Sequence, residues 1–182
     1  MTKVNLKNSL IALAIGLVMV SCGGRDDEMA KDKTLISTTI TGFEGKDHGT
    51  FDIAPTARLN DIGFKKHANF ELSEGDTANF IFKYGDVVCK EFVILVDDTI
   101  TINGIINSCD GKLTFISPNG MRVGASGILN VGSLSVLTPD LDSYEKLRGP
   151  LLGSPDFTIY TNDKLGKGTG IVTINGKVVE CK

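Results

Sequence analysis

Thr101-Ile102-Asn103-Gly104-Ile105-Ile106 recurs as Thr173-Ile174-Asn175-Gly176-Lys177-Val178, and Ile128-Leu129-Asn130-Val131-Gly132-Ser133-Leu134 is a looser version of the same phrase. Apolar and polar residues in alternation, then Gly, then a bend back into a strand is what one turn of a β-solenoid needs. Inward side chains stack on those of the next turn, and Gly lets the chain take the corner. Asn-Gly is also the strongest short hairpin signal, so the repeat alone fits a β-sandwich equally well.

The surrounding chain has the same character. Runs rich in Ile, Val, Thr and Phe predict strands over 36–41, 50–53, 63–72, 78–83, 92–96, 99–106, 112–117, 128–137, 156–160 and 170–179. Turn clusters such as Glu74-Gly75-Asp76, Tyr84-Gly85-Asp86, Asp110-Gly111 and Pro118-Asn119-Gly120 separate them. Only 142–148 reads as helix. In a chain of 182 residues with 41% hydrophobic residues, 21 Gly and a net charge of −3, this predicts one Gly-rich all-β domain. Collagen, coiled coil and full disorder do not fit that composition.

The amino terminus reads as a targeting segment. Lys3 and Lys7 precede an apolar run from Leu10 to Val20, followed by Ser21-Cys22-Gly23-Gly24. That run has 11 residues, whereas a membrane-spanning helix needs roughly 20, so 1–21 is expected to be a cleaved signal peptide. Met19-Val20-Ser21-Cys22 resembles a bacterial lipobox, in which the Cys is diacylated and begins the mature chain; an ordinary secretory signal cut near Cys22 is the alternative. Residues 22–34 are polar, without apolar period, and read as a flexible tether to a domain at 35–182. Loss of 1–21 removes two Lys and no acid, moving the net charge from −3 to −5. Such a surface offers no electrostatic attraction for a nucleic acid.

Besides Cys22 there are Cys89, Cys109 and Cys181. In an oxidising compartment three thiols leave one unpaired. Cys89 and Cys109 stand 20 residues apart, near one solenoid turn, and are the candidate disulfide; buried free thiols are the alternative. No C-x-x-C pair suggests a zinc or redox site.

The search for chemistry yields weak signals. His48 lies in a loop without a second His at ligand spacing, and His67 reads as a solvated strand residue. Asp97-Asp98 follows an apolar strand and reads as a polar strand terminus, although acids at strand ends can serve as Ca²⁺ ligands or catalytic acids. The glycines of 165–170 lack the G-K-[ST] step opening a helix, so a turn before the last strand is expected. Ser126 and Ser133 have no nearby His and no G-x-S-x-G elbow. No cofactor, metal or enzymatic activity is expected.

The stretch Phe70 to Phe82, then Ile100 to Ile106, then Phe115 to Leu134, resembles the amino-terminal two-partner secretion domain of filamentous-haemagglutinin-type exoproteins, and within that family the leukotoxin-like filamentous adhesin branch. The similarity spans roughly 38–139 and is most specific from Ser117 to Leu134, where Ser117 replaces an Asn and Ser133 a Gly of the family pattern. The resemblance implies a right-handed parallel β-helix and a surface adhesin-type module. It also implies an outer-membrane β-barrel transporter as secretion partner and a receptor or glycan as target. By the same resemblance Ser117, Pro118, Asn119 and Gly120, with Asn130, Val131 and Gly132 as a paired turn, serve secretion and folding. Family members run far longer, so this chain would be a stand-alone short solenoid or a piece of a longer adhesin, held to the membrane by lipid on Cys22. The competing functional readings are a lipid-anchored binding protein with a β-sandwich and a β-helix enzyme acting on polysaccharides.

Overall fold

The computed structural model describes residues 38–40, 49–149 and 155–181; the expected signal segment 1–21, Cys22 with the 22–34 tether, and His48 lie outside them. Within the described residues the chain is mostly β with a large parallel sheet. Its elements are β1 (Thr38–Ile40), β2 (Thr50–Ile53), β3 (Ala57–Leu59), β4 (Ile62–Leu72), β5 (Thr77–Phe80), β6 (Lys83–Tyr84), β7 (Val87–Val88), β8 (Glu91–Val96), β9 (Ile100–Ile102), β10 (Ile105–Ile116), β11 (Gly120–Val123) and β12 (Ile128–Leu137). Two helices, α1 (Leu141–Arg148) and α2 (Thr158–Thr161), precede β13 (Ile171–Ile174) and β14 (Lys177–Glu180).

The parallel pairs form three ladders. The first runs β2, β5, the start of β10, the start of β12, β14. The second runs from the end of β4 through β9 and β11 to β13. The third holds β1, β4, β8, the end of β10 and the end of β12. Each pass of the chain adds a strand to each ladder in turn. The strands flanking Asn103-Gly104 therefore pair with different partners, and the Asn-Gly step is a corner rather than a hairpin. Among the named strands only β3–β4 and β6–β7 are antiparallel, which leaves no basis for the antiparallel sandwich.

The corner glycines are required by close approach. A Cβ on Gly104 would stand 2.4 Å from the Asp76 carbonyl oxygen of the previous pass, and one on Gly176 would stand 2.3 Å from that of Gly127. Both are closer than any side chain tolerates, which explains why the two echoes share the residue. The predicted strands 99–106 and 170–179 are accordingly interrupted at these corners.

Inward residues stack into one core of Phe70, Phe80, Phe92, Phe115, Ile94, Ile102, Ile106 and their neighbours, all essentially buried. The third ladder is buried on its other face too. Phe64, Val93, Leu95 and Ile116 point outward and pack against Tyr144 and Leu147, with Phe157, Tyr160 and Leu165 alongside. This is why Phe92-Val93-Ile94-Leu95-Val96 is a continuous apolar run rather than an alternating one. The covering residues come from an excursion leaving after β12 and returning before β13, closed at its neck by the Pro139–Lys167 bridge. Asp140 caps α1 by accepting the Ser143 N–H at 2.9 Å. The strand expected at 156–160 is instead the short helix α2. The Asp156 carboxylate accepts the Thr158 N–H and starts a turn there.

Candidate functional site

The stretch from Ser117 to Gly120 turns the corner between the third and second ladders, and its side chains bond to the pass beneath. The Ser117 hydroxyl donates to the Asp98 carbonyl at 2.8 Å and accepts the Asn119 N–H at 3.1 Å. Asn119 Nδ2 donates to the Asp97 carbonyl at 3.1 Å. Pro118 begins the turn, and Gly120 completes it at φ 91°, where a Cβ would lie 2.2 Å from the Ile171 carbonyl. Asp97-Asp98 ends a strand, as expected, and supplies the carbonyls on which this corner rests.

Asn130, Val131 and Gly132 do not form the expected paired turn; all three lie within β12. Asn130 belongs to a polar ladder along the first sheet. Its Nδ2 donates to Asn107 Oδ1 at 2.8 Å, Asn107 Nδ2 donates to Asn79 Oδ1 at 2.9 Å, and Asn79 Nδ2 donates to Asp52 Oδ1 at 2.9 Å. Parallel, in-register pairing places these residues directly above one another. Val131 is buried in the core. Gly132 makes in one residue the bend that Cys109-Asp110-Gly111 makes below it.

That bend corrects the disulfide. Cys109 is bonded to Cys181, not Cys89, across a Cα–Cα distance of 5.5 Å. Ser108, Val131 and Glu180 are in register, so Cys109 and Cys181 follow the same column, with side-chain-free Gly132 between them. Cys89 is a buried free thiol beside Gly63, away from that column. Burial raises its pKa, which disfavours the reactive thiolate.

Two polar clusters fasten the excursion to the outer face. Asp97 accepts the Tyr144 hydroxyl at 2.9 Å and lies 3.4 Å from Lys66 Nζ and 3.7 Å from Arg148 Nη1. Burial, with the Asp97 charge and hydrogen bond, raises the Tyr144 pKa and keeps the hydroxyl a donor. Glu91 Oε1 accepts Tyr160 at 2.5 Å, Thr114 at 2.6 Å and Lys112 at 2.9 Å. Burial pulls the Glu91 pKa upward, but these three donors and the Lys112 charge outweigh it and hold the carboxyl below its usual range. Beside this cluster lies a cleft of about 390 Å³ that Ser135 and Asp163 also line.

His67 is buried, contrary to the expectation of a solvated residue, because β4 is covered on both faces at that point; its ring stands edge-on to Phe70 at 5.5 Å. Burial, then the charge of Lys65, brings its pKa down to about 3, so it is neutral at physiological pH. The glycines of 165–170 line the neck of the excursion, where the Gly168 N–H donates to the Thr138 carbonyl at 2.8 Å. Ser126 and Ser133 are exposed, one in a turn and one in β12. Among the described residues no group of three His, Cys, Asp or Glu side chains could hold a metal ion.

A second cleft, of about 520 Å³, opens beside the Ser117–Gly120 corner, with Arg122, Asn119 and Ile171 among its walls. Sequence reading missed it, since it forms only when the returning excursion sets Gly170 against Pro118. No family model matches the chain, nor does any curated protein or solved structure.

Proposed function

We propose that the chain is an exported, non-catalytic surface module of the adhesin type, built as a short right-handed parallel β-helix of the two-partner secretion kind. Residues 1–21 direct export, a diacylated Cys22 holds the mature chain to the membrane, and 22–34 tether the folded domain. An outer-membrane β-barrel transporter is the secretion partner, which recognises the chain in extended form by strand addition.

The observation that carries this reading is how the Ser117–Gly120 motif is used. Its side chains bond to the carbonyls of Asp97 and Asp98 one pass below, which is the work of a fold determinant and not of a reaction centre. Three parallel ladders sharing one core support the β-helix, and the disulfide suits an oxidising compartment.

Adherence tests the function. Producer cells lacking the chain should bind immobilised host glycans and cultured host cells less than the parent, with recovery on complementation. Unchanged adherence on every surface would remove the adhesin reading.

A further inference from the structure

We propose that the cleft over β11 and β13 binds a saccharide bearing a single carboxylate, with the Arg122 guanidinium as its anion partner. This rests on reading the chain as a binding module and names the ligand class for it. Arg122 is the only charged residue lining the cleft. It is exposed, and its side chain makes no hydrogen bond or ion pair with the described residues. Along its column the neighbours in register are Thr101 and Thr173, and the first acid, Glu71, lies two strands away, about 10 Å. The guanidinium is therefore available to an incoming anion on a protein whose net charge is −3.

Around this cation stand neutral polar groups. Among the described residues the hydroxyls of Thr99, Thr169 and Thr173 have no hydrogen-bond partner, nor has Oδ1 of Asn119, whose Nδ2 is committed to Asp97. One cation with three hydroxyls and an amide oxygen suits a polyhydroxylated ligand carrying one negative charge. A phosphate monoester carries nearly two charges and finds only one cation here. Ile171 is 75% exposed beside Arg122's strand, an apolar platform matching the C–H face of a pyranose ring. The frame is rigid: β11 is paired on both sides and the Ser117–Gly120 corner is fixed by its own hydrogen bonds, so little ordering is required on binding. The cleft at Glu91 offers no free cation, because Lys112 already pairs with Glu91 and its other charged wall residue, Asp163, is an acid.

The test is an amide chemical-shift titration of the purified full chain with galacturonic acid and with N-acetylneuraminic acid, against galactose, acetate and inorganic phosphate. Saturable shifts centred on Arg122 and Thr173 are expected with at least one acidic sugar. Arg122→Gln should weaken that binding about tenfold or more while leaving the circular dichroism unchanged, and Thr173→Val should weaken it less. No saturation with either acidic sugar, equal response to galactose or acetate, tighter binding of phosphate, or affinity unaffected by Arg122→Gln would each overturn the proposal. The titration uses purified protein, so a failure of adherence or display leaves its result standing. Absent sugar binding in a chain that mediates adherence would overturn this inference alone.

Discussion

Asn107 Nδ2 donates to Asn79 Oδ1 at 2.9 Å, joining residues 28 apart in sequence and adjacent in the first parallel ladder. Asn107 also accepts from Asn130, so it is an inner rung of a polar ladder of four residues ending on Asp52. In-register stacking is the condition for such a ladder, because a shift of one residue would turn an Asn inward and an apolar side chain outward.

Replacing Asn107 with Ala removes two side-chain hydrogen bonds at a half-buried position and should cost about 1–3 kcal/mol, lowering Tm by several degrees. Asp52→Asn, which keeps an acceptor at the exposed end, should change stability by less than about 0.5 kcal/mol. Thermal unfolding of the two variants checks the order.

Peptide mapping without reduction should recover a Cys109–Cys181 cross-linked fragment, with Cys89 alkylated only after unfolding. Cys181→Ser should destabilise by about 2–4 kcal/mol, since the bond closes a 72-residue separation. Cys89→Ala should leave the cross-link in place.

The corner motif should respond in graded fashion to urea denaturation. Asn119→Ala loses one exposed bond and about 1 kcal/mol, and Ser117→Ala loses a buried hydroxyl with two partners and about 1–3 kcal/mol. Gly120→Ala should be worst, above about 2 kcal/mol, because its φ of 91° and the Ile171 backbone both exclude a side chain.

Acid sensitivity should trace to His67. Its folded pKa of about 3 lies below the unfolded value of about 6.5, so between these the unfolded chain binds a proton that the folded chain refuses. Stability therefore falls as pH drops from about 6.5 towards 3, by up to ~1.4 kcal/mol per unit. The depressed Glu91 carboxyl acts in the same direction, but only as pH falls below its unfolded value of about 4.3. His67→Leu should flatten the profile from pH 6.5 to 5, read by denaturant midpoints; an unchanged slope there would rule out His67 as its source.

Much of the fold was legible because its periodic parts are local. The Thr-Ile-Asn-Gly echo marked two corners, and the motif at Ser117 marked a third. The disulfide had a signal too, which spacing to one solenoid turn obscured: Cys109 and Cys181 each stand five residues past the Gly of an echo. Counting from the echoes places them in one column, whereas residue counts between neighbouring cysteines mislead, since successive rungs of the polar ladder from Asp52 to Asn130 are 27, 28 and 23 residues apart. Of the excursion only its first helix was legible, expected over 142–148 and found at Leu141–Arg148. Asp156 to Tyr160 carries strand-forming residues, but the segment's conformation is decided by packing on Phe64 and Val93, contacts that no local pattern encodes. His67 was misread for the same reason, its cover coming from distant segments. The Arg122 cleft joins residues from three separate corners and strands, so only the assembled ladders bring it together.

The most direct test of the exported surface module is protease treatment of intact producer cells, followed by antibody detection of the chain. An exposed, lipid-tethered module is predicted to be lost while a periplasmic control survives. A chain that resists in intact cells and is degraded only after the outer membrane is permeabilised would contradict surface display and the adhesin function with it.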